Sequence, residues 1–257
     1  MSEVHATAVI AEGAQIGADC QIGPYCVIGA NVRLGGNCRV HSHVVIEGHT
    51  KIGDDNQIFP FASIGLQTQD LKFTGGTTHT VIGHRNTFRE YTTVHSATGD
   101  GDTTRIGDDN NFLAYTHIAH DCQLGSHIIM SNVATLAGHV TVEDRAIIGG
   151  LAAVHQFCRI GSMSIIGGCS KVVQDIPPYM MADGNPAATK APNREGLKRN
   201  GISDEVQAAI KQAYKILFRE GLTFTDGVEK ARSEVNSSDE IEHLLEFIET
   251  SQRGIAR

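Results

Sequence analysis

The chain has 257 residues, with 21 Lys and Arg against 29 Asp and Glu, giving a formal net charge of −8 at neutral pH. That balance argues against general nucleic-acid binding, and a hydrophobic content of 40% excludes a disordered chain. A mean hydropathy of −0.14 and the lack of any long apolar run argue against a transmembrane helix, and with 5% aromatics and no Trp the core has to be aliphatic.

From the first residues onward, Met1-Ser2-Glu3-Val4-His5 shows no basic segment followed by an apolar stretch, which predicts no secretory signal and a cytoplasmic location. A period of six then sets in at Val4. It runs through Ile10, Ile16, Ile22, Ile28, Leu34, Val40, Ile46, Ile52, Ile58 and Ile64. It lapses at Asp70, Gly76 and Asp100 and otherwise continues in phase to Val172. Of the 29 positions in this series, 26 are apolar, far beyond what the composition supplies by chance. The residue after the aliphatic is often Gly, and the residue two before it is usually small. This is the hexapeptide repeat. Three hexapeptides make one 18-residue coil of short strands, and coils stack at strand spacing.

The predicted fold is a β-solenoid, a left-handed parallel β-helix over residues 1–190, with a helical domain over 191–257. The left hand is implied by the resemblance to hexapeptide proteins, since the general crossover rule alone favours the right hand. Segments 66–80 and 96–104 read as loops ejected from the coil, where function tends to sit. Cys20, Cys26, Cys38, Cys122 and Cys158 occupy the small inward position, so packing explains them. With no CxxC pair, neither disulfides nor a thiolate metal site is expected.

The 18-residue coil also serves as a ruler for the histidines. His120, Gly138 and Gln156 share one azimuth on successive coils, as do Asp121 and His139, with His155 one step away and His117 on the strand of His120. The other histidines His5, His41, His43, His49, His79, His84, His127 and His243 read as surface residues. Three readings of the column are open: a structural ladder, a metal site, or a general base oriented by a carboxylate. The spacing does not match the three-His ligand set of hexapeptide carbonic anhydrases. A backbone N–H near the base would stabilise an oxyanion.

After Val172 the pairs Pro177-Pro178 and Asn185-Pro186 punctuate the exit. Helices are predicted over about 204–219 with Ser203 as N-cap, over about 225–235, and up to about 251 from a capping box of Ser237 and Glu240. Residues 186–219 hold seven basic and three acidic residues, a net +4 in an acidic chain. The segment is either a solvated face or a patch for an anionic partner.

Five motifs carry a family resemblance. They are His117-Ile118-Ala119-His120-Asp121-Cys122, Ala134 through Val140, Ala153 through Cys158, Gln69-Asp70-Leu71-Lys72, and Glu195-Gly196-Leu197-Lys198-Arg199. In this order they resemble the acyl-acyl carrier protein–UDP-N-acetylglucosamine O-acyltransferases, which perform the first step of lipid A synthesis. The resemblance covers essentially the whole chain. It implies a homotrimer with sites between neighbouring β-helices, and transfer of an (R)-3-hydroxyacyl group from acyl carrier protein to the sugar 3-hydroxyl. It implies His120 as general base, Asp121 as its orienting partner and the Gly138 N–H as oxyanion hole. Gln69, Asp70, Lys72, His117, His139, His155 and Gln156 are implied to hold substrate, and Asn193, Glu195 and Arg199 the nucleotide. Gly168 matches a position that limits the acyl pocket, and glycine there implies a chain of about C12–C14. No metal and no cofactor is implied beyond the carrier's phosphopantetheine, and that acidic carrier would suit the basic segment.

Two positions depart from the family pattern. Asn200 stands where many members carry a second Arg, and His95-Ser96-Ala97-Thr98 replaces a His-Arg-Gly-Thr pattern. The second departure leaves a 3-amino acceptor, giving an amide, as an alternative. Another hexapeptide acyltransferase, such as the later N-acyltransferase of the pathway, and a non-catalytic scaffold are the remaining alternatives.

Overall fold

A computed structural model describes residues 2–257. The repeat folds as a left-handed parallel β-helix whose three faces are parallel sheets. Face A has eleven strands, face B nine and face C eight. The chain visits A, B and C in turn, and the cross-section is a triangle. Most strands are two residues long, with one side chain out and the six-step aliphatic in.

Register explains why the periodicity survives its interruptions. An uninterrupted coil pairs residues 18 apart, as in His117↔Thr135. Ser63 pairs with Thr93, 30 apart, and Thr93 with His117, 24 apart. The insertions are therefore of twelve and six residues, both multiples of the repeat. The strands beside them lengthen to Ser63–Leu66, His79–Ile82, Thr93–His95 and Thr103–Ile106. The loops are accordingly 67–78 (loop 1) and 96–102 (loop 2), shorter than the sequence suggests, because the flanking residues stay in the sheets.

The aliphatic series fills the interior, and five of the six cysteines are fully buried in it. All six are free thiols. Burial pushes the Cys122 thiol up to about 12 and those of Cys38 and Cys158 to about 11, so they stay protonated. Val4, the first of the series, is 48% exposed, because its strand ends face A and has no coil beneath it.

The corners carry a pattern that the inward series does not show. Most of them turn on one residue with positive φ. Between C and A these are largely charged: Asp19, Asn37, Asp55, Arg85, Asp109, His127 and Arg145. Between A and B the first five form a stacked, exposed aromatic ladder of Tyr25, His43, Phe61, Tyr91 and Tyr115, with ring centroids 4.7–5.0 Å apart, and Val133, Leu151 and Cys169 follow. Between B and C lie the two loops and then Asp121, His139 and Phe157.

Beyond the coil, Met180–Gly184 adds to face A and pairs antiparallel with Ala187–Pro192, a hairpin where the sequence reads only as punctuation. Four helices follow: α1 (Arg194–Arg199), α2 (Asp204–Arg219), α3 (Phe224–Glu234) and α4 (Asp239–Glu249). Ser203 caps α2 as expected, its side chain accepting the Val206 N–H. The cap of α4 is Ser238 rather than Ser237: its hydroxyl accepts the Ile241 N–H, which the geometry of the first turn requires. Ile241, Leu244, Leu245 and Ile248 are buried together with Leu197, Ile210 and Leu217 in a second core. No helix among the described residues is long and apolar enough to cross a membrane.

Candidate active site

The site is built on the corner between faces B and C. Asp121 and His139 both sit at φ 60°, stacked one coil apart. The His139 N–H donates to His120 O, so consecutive coils are tied at the site itself. His120 Nδ1 lies 2.8 Å from Asp121 Oδ2. The same carboxylate accepts the Thr98 N–H from loop 2, and the Asp121 N–H donates to Thr104 Oγ1. The His120 side chain is only 13% exposed, and its Nε2 is 3.9 Å from Asp70 Oδ2 of loop 1. His139 crosses His120 edge-on and stacks on Phe157.

Gly138 makes the room for this arrangement. A Cβ there would fall inside the van der Waals envelope of His120 Cε1 and Nε2. The Gly138 N–H finds no acceptor among the described residues.

Two further imidazoles flank the dyad. His117 Nδ1 pairs with Thr93 Oγ1 at 2.7 Å, and its ring meets His95 edge-on. Burial, with His95 and His120 adding to it, pushes His117 down to about 4. Burial, with His120 adding to it, also lowers His95. Both are neutral near pH 7. His120, Asp121 and His139 place donors within 4.8 Å of one another, close enough to share a cation.

The sequence-derived residues do not all gather at this corner. His155 and Gln156 are exposed two coils on, where Arg253 reaches from the C-terminal segment to within 3.3 Å of His155 Nδ1. Gln69 and Lys72 lie in loop 1 beside Asp70, whose Oδ1 accepts the Lys72 N–H. Asn193, Glu195 and Arg199 line a different groove of about 310 Å³ with His127, Arg145 and Ile165. That groove lies on face A, the side of the triangle opposite the B–C corner, with the aliphatic core between them. The Asn193 amide is already engaged, since Oδ1 accepts the Gly196 N–H and Nδ2 donates to Met163 O. Gly168 sits on the third corner, between A and B.

Sequence reasoning missed Thr98 and Thr104, which hold Asp121. Loop 2 has no repeat register, so no spacing links Thr98 to the dyad. His243 is not a plain surface residue: its Nε2 is 3.0 Å from Glu143 Oε2 and its Nδ1 2.8 Å from the Tyr179 hydroxyl.

Residues 175–256 match the family model described as UDP-N-acetylglucosamine O-acyltransferase, domain 2, and residues 13–48 match the bacterial transferase hexapeptide model. An acyl-[acyl-carrier-protein]–UDP-N-acetylglucosamine O-acyltransferase of Burkholderia lata is 49% identical, with each chain covered completely. The chain belongs to the UDP-N-acetylglucosamine O-acyltransferase family. Solved structures agree across wide distances. LpxA from Acinetobacter baumannii is 44% identical with a TM-score of 0.96, and 99% of each chain is covered. The Arabidopsis UDP-N-acetylglucosamine acyltransferase, 34% identical, has a TM-score of 0.89 over 99% of this chain and 100% of that one. The family thus fixes an acyltransferase, and relatives named for O-acylation do not favour the amide-forming alternative.

Proposed function

We infer that this acyltransferase moves an (R)-3-hydroxyacyl group from acyl carrier protein to the 3-hydroxyl of UDP-N-acetylglucosamine, the first step of lipid A synthesis, in the cytoplasm. The observation that carries the reading is the His120–Asp121 pair beside an unpartnered Gly138 N–H. The Asp121 carboxylate accepts a hydrogen bond from Nδ1–H and so leaves the Nε2 lone pair free to take the proton of the sugar 3-hydroxyl. As His120 takes that proton, the sugar oxygen attacks the thioester carbon. The new C–O bond gives a tetrahedral oxyanion, which accepts the Gly138 N–H. Collapse breaks the C–S bond, and the phosphopantetheine sulfur leaves with the proton returned from His120. The thioester is already activated, so the step calls for no metal and no cofactor of the enzyme's own.

The division of the site between opposite sides of one chain supports an assembly. A single sugar nucleotide reaches the B–C corner and the face A groove together only when two copies meet. One copy then brings His120, Asp121, Gln69, Asp70, Lys72, His117 and His139. The next brings Asn193, Glu195 and Arg199, and its Gly168 end limits the acyl chain. Such a head-to-tail contact closes into a ring, and three copies make the homotrimer. Leu71 at the tip of loop 1 is wholly exposed, and so are large parts of Ile129 on face A and of the aromatic ladder, as surfaces awaiting cover require. His155 and Gln156 extend the contact along the acyl path, and the basic stretch from Lys190 to Arg219 receives the acidic carrier.

Subunit mixing tests the shared site. His120→Ala and Arg199→Ala homotrimers each lose most activity. Unfolded and refolded together in equal amounts, they regain about a quarter of wild-type activity, because one site in four pairs two intact halves. A mixture no more active than its components would contradict the shared site.

A further inference from the structure

Five residues close a circuit of polar contacts around His120. Its Nδ1 meets Asp121 Oδ2 at 2.8 Å. The Asp121 carboxylate accepts the Thr98 N–H, 3.2 Å to Oδ2 and 3.4 Å to Oδ1. Thr98 Oγ1 lies 3.2 Å from Thr68 Oγ1. Thr68 Oγ1 in turn accepts the Asp70 N–H at 3.0 Å. Asp70 Oδ2 then returns to within 3.9 Å of His120 Nε2. The circuit crosses loop 1, loop 2 and the B–C corner.

Neither loop is held by the repeat, and neither carries an aliphatic core of its own. Thr68 is nonetheless 5% exposed, so its hydroxyl needs partners in the protein. Those partners are the Thr98 hydroxyl and the Asp70 N–H. Thr98 uses its hydroxyl and its N–H in the same circuit: the hydroxyl faces loop 1 and the N–H faces the dyad. A second buried contact, from Thr78 Oγ1 to Ser96 Oγ at 3.0 Å, runs beside it and holds the loop bases together.

We propose that the Thr68–Thr98 hydroxyl pair is a positioning element that fixes Asp70 and Asp121 as one unit on either side of His120. The loop that receives the acceptor and the loop that aims the base then move together. This rests on the reading of His120 as the base. A shift of loop 1 as the sugar enters is passed to the Asp121 carboxylate through two hydroxyls and one N–H. The chain thereby gains specificity: only an acceptor that seats loop 1 also seats the dyad.

Thr68→Val and Thr98→Val keep shape and remove the hydroxyls, and Thr98→Val keeps the backbone N–H on Asp121. Hydrogen exchange read over both loops reports coupling without any substrate. Each substitution is expected to raise exchange about 5-fold in the loop that it does not touch, the effect of one lost hydrogen bond, and Thr98→Ser should restore it. In transfer kinetics, each is expected to raise KM for the sugar nucleotide about 5-fold while KM for the acyl carrier stays constant. The double variant should be no worse than Thr68→Val alone. Exchange confined to the substituted loop, or losses that add, would overturn the proposal. Coupled exchange in a protein that transfers no acyl group would leave the positioning role standing and refute the acyltransfer reading instead.

Discussion

Gly138 and His120 occupy complementary space: the imidazole fills the volume that any Cβ at 138 would take. The glycine is needed here for close approach, since its φ does not lie in the left-handed region. Gly138→Ala should therefore push the ring off the Asp121 axis. The expected result is a fall in kcat of about 100-fold, as a displacement of about 1 Å at reacting atoms produces. The thermal midpoint should change little, because the clash is with the far end of the His120 side chain, which can turn away, and not with backbone.

A cation bound by His120, Asp121 and His139 would occupy the proposed base, so metal should inhibit. Overnight dialysis against EDTA is expected to leave the transfer rate unchanged. Micromolar Zn²⁺ should lower it reversibly, and His139→Ala should weaken that inhibition by about 10-fold, the scale of losing one ligand. Activity that depends on added metal would contradict the general-base reading.

A Cβ at Gly168 would meet a single atom, the backbone Gly150 O at 3.2 Å, a tight contact that a shift of a few tenths of an ångström relieves, and the Gly168 φ is not left-handed. Gly168→Met should thus fold after a small local shift and project into the proposed acyl path. The preferred donor is expected to shorten by about two to four carbons, measured by competition among carriers of different lengths. An unchanged chain-length preference would remove Gly168 from the acyl path.

The clasp between Glu143 on the coil and His243 on α4 sets a pH dependence of stability. Its hydrogen bond to Glu143 raises His243, whereas burial opposes it. Burial pushes the Glu143 carboxyl up, but the hydrogen bonds from His243 and Ser162 outweigh it and leave Glu143 lowered. The raised His243 stabilises fully below about 6.5 and loses its contribution as pH rises through its folded value. The lowered Glu143 stabilises above about 4.5 and loses its contribution as pH falls through its own. The clasp is therefore strongest near pH 5–6. Both groups are part exposed, which limits the effect. His243→Gln should lower the thermal midpoint by about 2 °C at pH 6 and by less at pH 9.

The interior of this protein is legible because one large aliphatic side chain in six, with a small one two places before it, must fill a narrow core, and a period that strict leaves its mark from Val4 to Val172. The 18-residue ruler aligns His120 with Gly138 and Asp121 with His139 for the same reason. The insertions of twelve and six residues preserve phase, so even the loops announce themselves. What they do in space is not legible. Thr68 and Thr98 sit 30 residues apart in segments with no period, and only the folded loops bring their hydroxyls together. Likewise the motif around Arg199 names a groove on face A without showing that the core separates it from His120. His243 reads as surface because its partners, Glu143 and Tyr179, lie 100 and 64 residues away.

The most direct test is acyl transfer by the purified protein from (R)-3-hydroxyacyl carrier proteins of several lengths. UDP-N-acetylglucosamine and its 3-amino analogue are offered separately, with His120→Ala as control. The account predicts ester formation on UDP-N-acetylglucosamine that falls by about 10²–10⁴-fold in the variant, the usual contribution of a general base. Transfer that survives the loss of His120, or that occurs only on the amine, would contradict it.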